Sequence, residues 1–183
     1  MYNHSFRNET DEALMIAIAD RNAEAFAVLY DRYGQRMYRY FYRMLRRDAA
    51  RSEDFTQDLF LKIIEKANTF RQGYAFKTWV YTIAANMCKN EFRRVHLREN
   101  TPLPMPDTSY DYLPESLDQQ LLESELRSAI DQLEEPHRTC FVLRYQEELS
   151  VRDISAIMDC PEGTVKSRLH HALRKVSSRI TID

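Results

Sequence analysis

Between Asp54 and Arg94 the apolar residues recur at three- and four-residue steps in two successive runs, a period that restricts the chain to helices packed on helices. In DFTQDLFLKIIEKA, Phe55, Leu59, Phe60, Ile63, Ile64 and Ala67 share one face. That predicts an amphipathic helix with Ser52 as N-cap, and with Glu53 and Asp54 at its start, where carboxylates suit the helix dipole. Gln57, Asp58, Lys62 and Glu65 are left outside. NTFRQGY, Asn68 to Tyr74, breaks the period, and Gly73 punctuates the turn. A second helix is predicted from Phe76 to Arg94. Its apolar stripe is Phe76, Trp79, Val80, Ile83, Ala84 and Met87, with Asn86, Lys89, Asn90, Arg93 and Arg94 on the other side. One helix thus offers acids and amides and the next ends in bases and amides, which suggests two different partners. A solvated acidic face, and cations complementing a helix C-terminus, would produce the same pattern.

Elsewhere the chain keeps the helical period. Ala13, Leu14, Ile16, Ala17 and Ile18 predict a helix from about Thr10 to Asp20. Phe26, Leu29, Tyr30, Tyr33, Met37, Tyr40, Phe41, Met44 and Leu45 predict another from Asn22 to near Arg47. Its arginines interleave with Tyr38, Tyr40 and Tyr42, a pattern shared with nucleic-acid platforms but better read as core aromatics flanked by snorkelling arginines. Only three glycines are present, so neither a phosphate loop nor a dinucleotide fingerprint can be built. With no alternating strand pattern, the fold class is all-α.

From Leu97 the periodicity disappears. Pro102, Pro104, Pro106 and Pro114 occur with Asp107, Asp111 and Glu115, which reads as an extended acidic linker. Two small helical domains are therefore expected, 1–96 and 119–183, joined by residues 97–118. The first 96 residues carry 16 Lys and Arg against 12 Asp and Glu, and the linker carries 1 against 5. A chain of net charge −2 is less basic than one that holds DNA by electrostatics alone. The three cysteines, Cys88, Cys140 and Cys160, are odd in number and lie in or beside helical patterns, so buried thiols are expected in place of a disulfide or metal site. No basic-then-apolar signal pattern opens the sequence and no apolar run spans a bilayer, so a cytoplasmic location without membrane insertion is expected.

The last third is helical again. Leu121, Leu122, Leu126, Ile130 and Leu133 predict a helix ending before Pro136, and Thr139 to Tyr145 the next. LSVRDISAIMDCPEGTVKSRLHHALRKV then has the layout of a helix-turn-helix. Ser150 caps a short helix, with Asp153 placed for a capping box, and Asp159 to Gly163 makes the turn. In the second helix Val165, Leu169, Ala172, Leu173 and Val176 form the inner stripe. Ser167, His170, His171 and Arg174 point away, flanked by Lys166 and Arg168, as donors for a major groove would. His170 and His171, being adjacent, do not face one ligand point and make no metal site.

These motifs together resemble a bacterial sigma factor of the extracytoplasmic-function type, within the sigma-70 family. SEDFTQDLFLKIIEKANTF is similar to the family's polymerase-binding motif, AFKTWVYTIAANMCKNEFRR to its promoter-melting motif, and the helix-turn-helix to its upstream-element reader. The resemblance runs from about Ala25 to Arg179 in the family's order. It implies that Asp54, Gln57 and Asp58 dock on the largest polymerase subunit. It implies that the loop of Asn68, Thr69, Phe70, Arg71, Gln72 and Tyr74 captures a flipped minus-ten base, with Asn86, Lys89, Arg93 and Arg94 on the helix lying along that element. Thr164, Lys166, Ser167, Arg168, His170, His171 and Arg174 fall on the helix that reads the minus-thirty-five element, and Arg144 matches a phosphate contact. A lysine at 166 and a histidine at 170 depart from the family's usual arginine and aromatic, so a relative's promoter sequence does not transfer. Implied partners are core RNA polymerase, promoter DNA and an anti-sigma factor. No cofactor, catalytic residue, metal or small-molecule substrate is implied. The other reading is a stand-alone helix-turn-helix regulator with a helical sensing or dimerisation domain, which would bind duplex DNA without polymerase.

Overall fold

A computed structural model describes residues 6–71, 73–98 and 117–179, and all its regular elements are helical. Gln72, linker residues 99–116 and the side chains of Leu121 and Leu122 lie outside the described residues. The helices are α1 (Asp11–Ala19), α2 (Ala23–Met44), α3 (Ala49–Lys66), α4 (Phe76–Arg98), α5 (Leu117–Asp131), α6 (Glu135–Tyr145), α7 (Val151–Met158) and α8 (Glu162–Ser177), with a 3-10 turn at Ala67–Thr69. The chain divides into two compact units, Met1–Cys88 and Lys89–Asp183, with the division falling inside α4. Among the described residues no helix is long and apolar enough to cross a membrane.

In the first unit α2 packs against both α1 and α3. Thr10 and Asn22 cap α1 and α2, Asn22 Oδ1 accepting from Glu24 N and Ala25 N at 3.0 Å each. Helix α2 ends at Met44, short of the expected Arg47, because Arg46 and Arg47 both turn left-handed (φ 52° and 64°). The chain thereby reverses, and α3 begins earlier than expected, at Ala49. Asp48 is the N-cap: its carboxylate accepts from Arg51 N at 3.0 Å. Ser52 is buried inside the helix, its hydroxyl donating back to Asp48 O at 2.5 Å. Glu53 and Asp54 therefore sit a turn further in than the sequence pattern implied. Tyr33, Tyr40 and Phe41 of α2 face inward, Tyr40 meeting Tyr81 edge-on at 5.4 Å and Phe41 meeting Phe55 at 5.5 Å, whereas Tyr30, expected on the inner face, is 45% exposed. Arg36 reaches from α2 to donate to the Tyr81 hydroxyl at 3.0 Å. The buried line of α4 is Phe76, Val80, Tyr81, Ala84, Ala85 and Cys88, whereas Trp79, Ile83 and Met87 are half-buried.

In the second unit Ala129, Ile130, Leu133, Phe141, Ala172 and Val176 form one core cluster, with Leu126 packed against it. Pro136 does not merely stop α5; it lies in the first turn of α6, where a missing N–H is harmless. Arg138, 2% exposed, donates through Nη2 to Asp131 O at 2.7 Å and Leu133 O at 2.9 Å, closing the end of α5. At α7 the expected capping box is present, Asp153 N donating to Ser150 Oγ at 3.1 Å and Ser150 N to Asp153 Oδ2 at 3.3 Å. Ser150→Ala is expected to destabilise this unit by about 1 kcal/mol, read from chemical denaturation. No change would mean that packing alone sets the start of α7. Asp159 ends α7 left-handed (φ 47°), and α8 starts at Glu162, taking Gly163 into its first turn.

Candidate functional site

Three exposed surfaces carry the residues singled out from the sequence. On α3, Asp54, Gln57 and Asp58 are all exposed and separated by three and four residues, so they form one patch while Leu59, Phe60 and Ile63 fill the core. Leu61 continues the patch at 57% exposure, with Ile64 also exposed at 46%. The apolar pattern had placed Ile64 inside and passed over Leu61. Its signal was there to be read: a leucine three residues after Asp58, off the apolar stripe. An exposed leucine amid acids and amides gives the patch an apolar centre of the kind that protein interfaces use.

The second surface runs from the end of α3 into α4. Thr69 Oγ1 donates to Lys66 O at 2.7 Å and so finishes α3. Asn68 is exposed and lines a groove with Asn22, Phe26 and Ile64. Phe70 is turned inward, edge-on to Trp79 at 5.5 Å and to Phe76 at 6.3 Å. Arg71 and Tyr74 are exposed, Tyr74 at 64%, and Gly73 between them takes φ 94°, which a side chain would strain. Tyr74 is thus the ring open to a ligand, and Phe70 the ring that braces the loop. Glu12 of α1 caps the next helix by accepting from Phe76 N at 2.9 Å. Sequence reasoning had no signal for this partner, 64 residues away.

Along α4 the expected opposition of apolar and polar sides is corrected. Trp79, Ile83, Asn86, Asn90 and Arg93 follow one another at helical steps, so a half-buried aromatic and aliphatic row passes directly into amides and a base. The sequence stripe held at Phe76, Val80 and Ala84, but the buried side extends one position further on, to Tyr81, Ala85 and Cys88, and leaves Trp79, Ile83 and Met87 half-buried. Asn86, Lys89 and Arg93 are exposed. Arg94 is also exposed but forms a two-point pair with Glu91, Nε to Oε2 at 2.9 Å and Nη2 to Oε1 at 3.0 Å.

The third surface is the outer side of α7 and α8. Lys166, Ser167, His170, His171 and Arg174 are exposed, while Val165, Leu169, Ala172 and Val176 are buried beneath. Leu173, expected inside, is exposed, since the core cluster reaches only Ala172 and Val176 there. Thr164 and Arg168 are half-buried at the shoulders. Arg168 turns back, its Nη1 3.5 Å from Cys160 Sγ. Arg144 is exposed, yet its Nη1 donates to Leu149 O at 2.9 Å and steadies the turn into α7. His171 meets His137 of α6, ring centres 4.7 Å apart. Among the cysteines, all free, Cys140 is buried, which pushes its thiol up to about 11. Cys160 is only half-buried.

Known proteins match both units. The family description "Sigma-70 region 2" fits residues 29–98 and "Sigma-70, region 4" fits residues 123–176. The ECF RNA polymerase sigma-E factor of Haemophilus influenzae is 32% identical over 187 residues, covering 93% of this chain and 95% of that one. The ECF RNA polymerase sigma factor SigW of Bacillus subtilis is 32% identical over 166 residues, covering 83% and 88%. Among solved structures, the sigma factor RpoE of Bartonella quintana, crystallised with the anti-sigma factor NepR, superposes with a TM-score of 0.74 at 22% identity, covering 88% of this chain and 99% of that one.

Proposed function

The chain belongs to the sigma-70 family, in its extracytoplasmic-function group, and from that premise we propose how its surfaces divide the work of promoter-specific transcription initiation. Its partners are core RNA polymerase and promoter DNA. Residues 1–96 serve as the polymerase-binding and minus-ten domain, residues 97–118 as the linker, and residues 119–183 as the minus-thirty-five domain. Asp54, Gln57 and Asp58 dock on polymerase around Leu61. In the loop, Asn68, Thr69, Arg71 and Gln72 offer hydrogen bonds to an unpaired base and Tyr74 offers a stacking wall. Phe70 acts from within, as its contacts with Trp79 and Phe76 support. Asn86, Lys89, Arg93 and Arg94 track phosphates and sugars, which position without specifying. Lys166, Ser167, His170, His171 and Arg174 read the minus-thirty-five base edges, with Thr164 and Arg168 at the shoulders and Arg144 on a phosphate.

The physical reason for two readers on one chain is avidity. A free linker of this length spans about 25 Å on average and about 70 Å fully stretched. Polymerase, by holding it extended, fixes the spacing at which two weak readers act as one. That is also why the chain need not be strongly basic. Base capture offsets the few kcal/mol that unstacking costs. The chain performs no covalent chemistry of its own, acts in the cytoplasm, and is held in check by an anti-sigma factor.

The observation that carries this reading is the match of both regions, in family order, to residues 29–98 and 123–176. Purified chain added to core polymerase is expected to yield transcription starts downstream of one shared two-part motif. Within that assay Lys166→Ala should lose about 1–3 kcal/mol of discrimination at one upstream base pair, whereas Arg144→Ala should weaken all sequences alike and reduce the salt dependence. Tight, specific duplex binding by the chain alone, with no stimulation of polymerase, would establish the stand-alone regulator instead.

A further inference from the structure

His137 lies outside the helix-turn-helix and has no place in the assignments above. It sits in the first turn of α6 with its side chain only 22% exposed, so its ring is largely fixed by its surroundings. Against it rests the ring of His171, at 4.7 Å between centres and 37° between planes. His171 is on the exposed side of α8, between His170 and Ala172, the latter buried in the core. A side chain in that position would otherwise sample several rotamers, and binding would have to order it. The neighbour that narrows its choice is a half-buried ring on a different helix.

We infer that His137 is a positioning residue for promoter reading, holding the His171 ring in the orientation that meets the upstream element. The inference deepens the proposed reading and rests on His171 facing DNA. Both groups are imidazoles, which makes the contact depend on proton occupancy. While the pair carries at most one proton, the rings can rest on each other. Once both are charged, two cations face each other and the contact is driven apart. The other charges bearing on His137 are the Glu134 carboxylate, 3.8 Å from Nδ1 and itself largely exposed, and Arg168 and Lys175 of α8. Burial, and then His171, lowers the pKa of His137 below the usual histidine value, whereas Glu134 opposes that shift. Lowered in this way, His137 takes up its proton only at a more acidic pH than an ordinary histidine does. Phosphates of bound DNA attract an imidazole once it is protonated, and that attraction carries no base sequence. Acidification therefore raises general DNA attraction while eroding discrimination at the base pair His171 meets.

The test uses the full chain with core polymerase and a promoter set in which each upstream base pair is varied in turn. Discrimination is measured as the ratio of open-complex formation on matched and varied promoters, at about pH 8 and about pH 6, either side of the histidine range. His171→Ala identifies the base pair concerned. His137→Ala is expected to lose roughly two- to tenfold of discrimination at that pair alone, the size of one side chain's ordering entropy. His137→Phe, which keeps a ring but cannot titrate, is expected to restore discrimination and to abolish its fall at about pH 6. If His171→Ala leaves every pair unaffected, His171 does not read DNA, and both the reading and this inference fall. If His171→Ala acts at one pair and His137→Ala acts at none, or at all pairs equally, the reading stands and the inference is wrong. A His137→Phe variant that retains the wild-type fall at about pH 6 overturns the proton-linked part, because no imidazole then remains at 137 to charge.

Discussion

Asp58→Lys is expected to weaken binding to core polymerase by about 2 kcal/mol or more, some thirtyfold in affinity, because it reverses a charge at the centre of a proposed interface. Asp58 lies outside the buried line of α3, between exposed Gln57 and buried Leu59, so the substitution should leave the fold alone. The melting temperature should move by less than about 2 °C. Leu61→Ala should act in the same direction through lost apolar contact, and it too removes nothing from the core. A direct titration of labelled chain with core polymerase measures both. Unchanged affinity for either variant, with the fold intact, would move the docking face away from this side of α3.

The largest effect on stability is expected at Arg138. Its guanidinium is buried and Nη2 donates to two carbonyls, Asp131 O and Leu133 O, where α5 has run out of its own amide donors. Arg138→Ala leaves those acceptors in a site that water reaches poorly, and it opens space beneath α6. A loss of about 3 kcal/mol is expected, the scale of a charged hydrogen bond removed from a buried acceptor. Lysine should recover only part of it, since one ammonium cannot reproduce the planar fork. Hydrogen exchange on the full chain is the measurement: amides of α5 and α6 should lose protection while those of α2 and α3 keep theirs. Uniform protection in the variant would mean that the cluster of Ile130, Leu133 and Phe141 holds this turn without the arginine.

Much of this protein was legible in its residues because helices report themselves through local periodicity. The all-α class, the helix-turn-helix, the Ser150–Asp153 capping box and the exposed patch of Asp54, Gln57 and Asp58 all follow from neighbours three or four positions apart, and the structure contains each of them. Family membership was legible for a related reason: its motifs are contiguous segments, matched at residues 29–98 and 123–176. What the sequence could not decide were features set by contact across the fold. Ser52 looked like a cap until the reversal at Arg46 and Arg47 brought Asp48 to the start of α3. Ile64 and Leu173 looked buried but are 46% and 43% exposed, because an apolar side chain carries no record of how fully a partner covers it. Trp79 and Ile83 looked like core, yet they belong to the row that leads out to Asn86 and Arg93. The rotation of a helix about its axis is fixed by what packs against it, and a stripe this broad tolerates several rotations. The capping of α4 by Glu12 and the meeting of His137 with His171 join residues far apart in the chain. Local period carries no information about such pairs. They arise when packing brings distant helices together, and only the tertiary structure decides them.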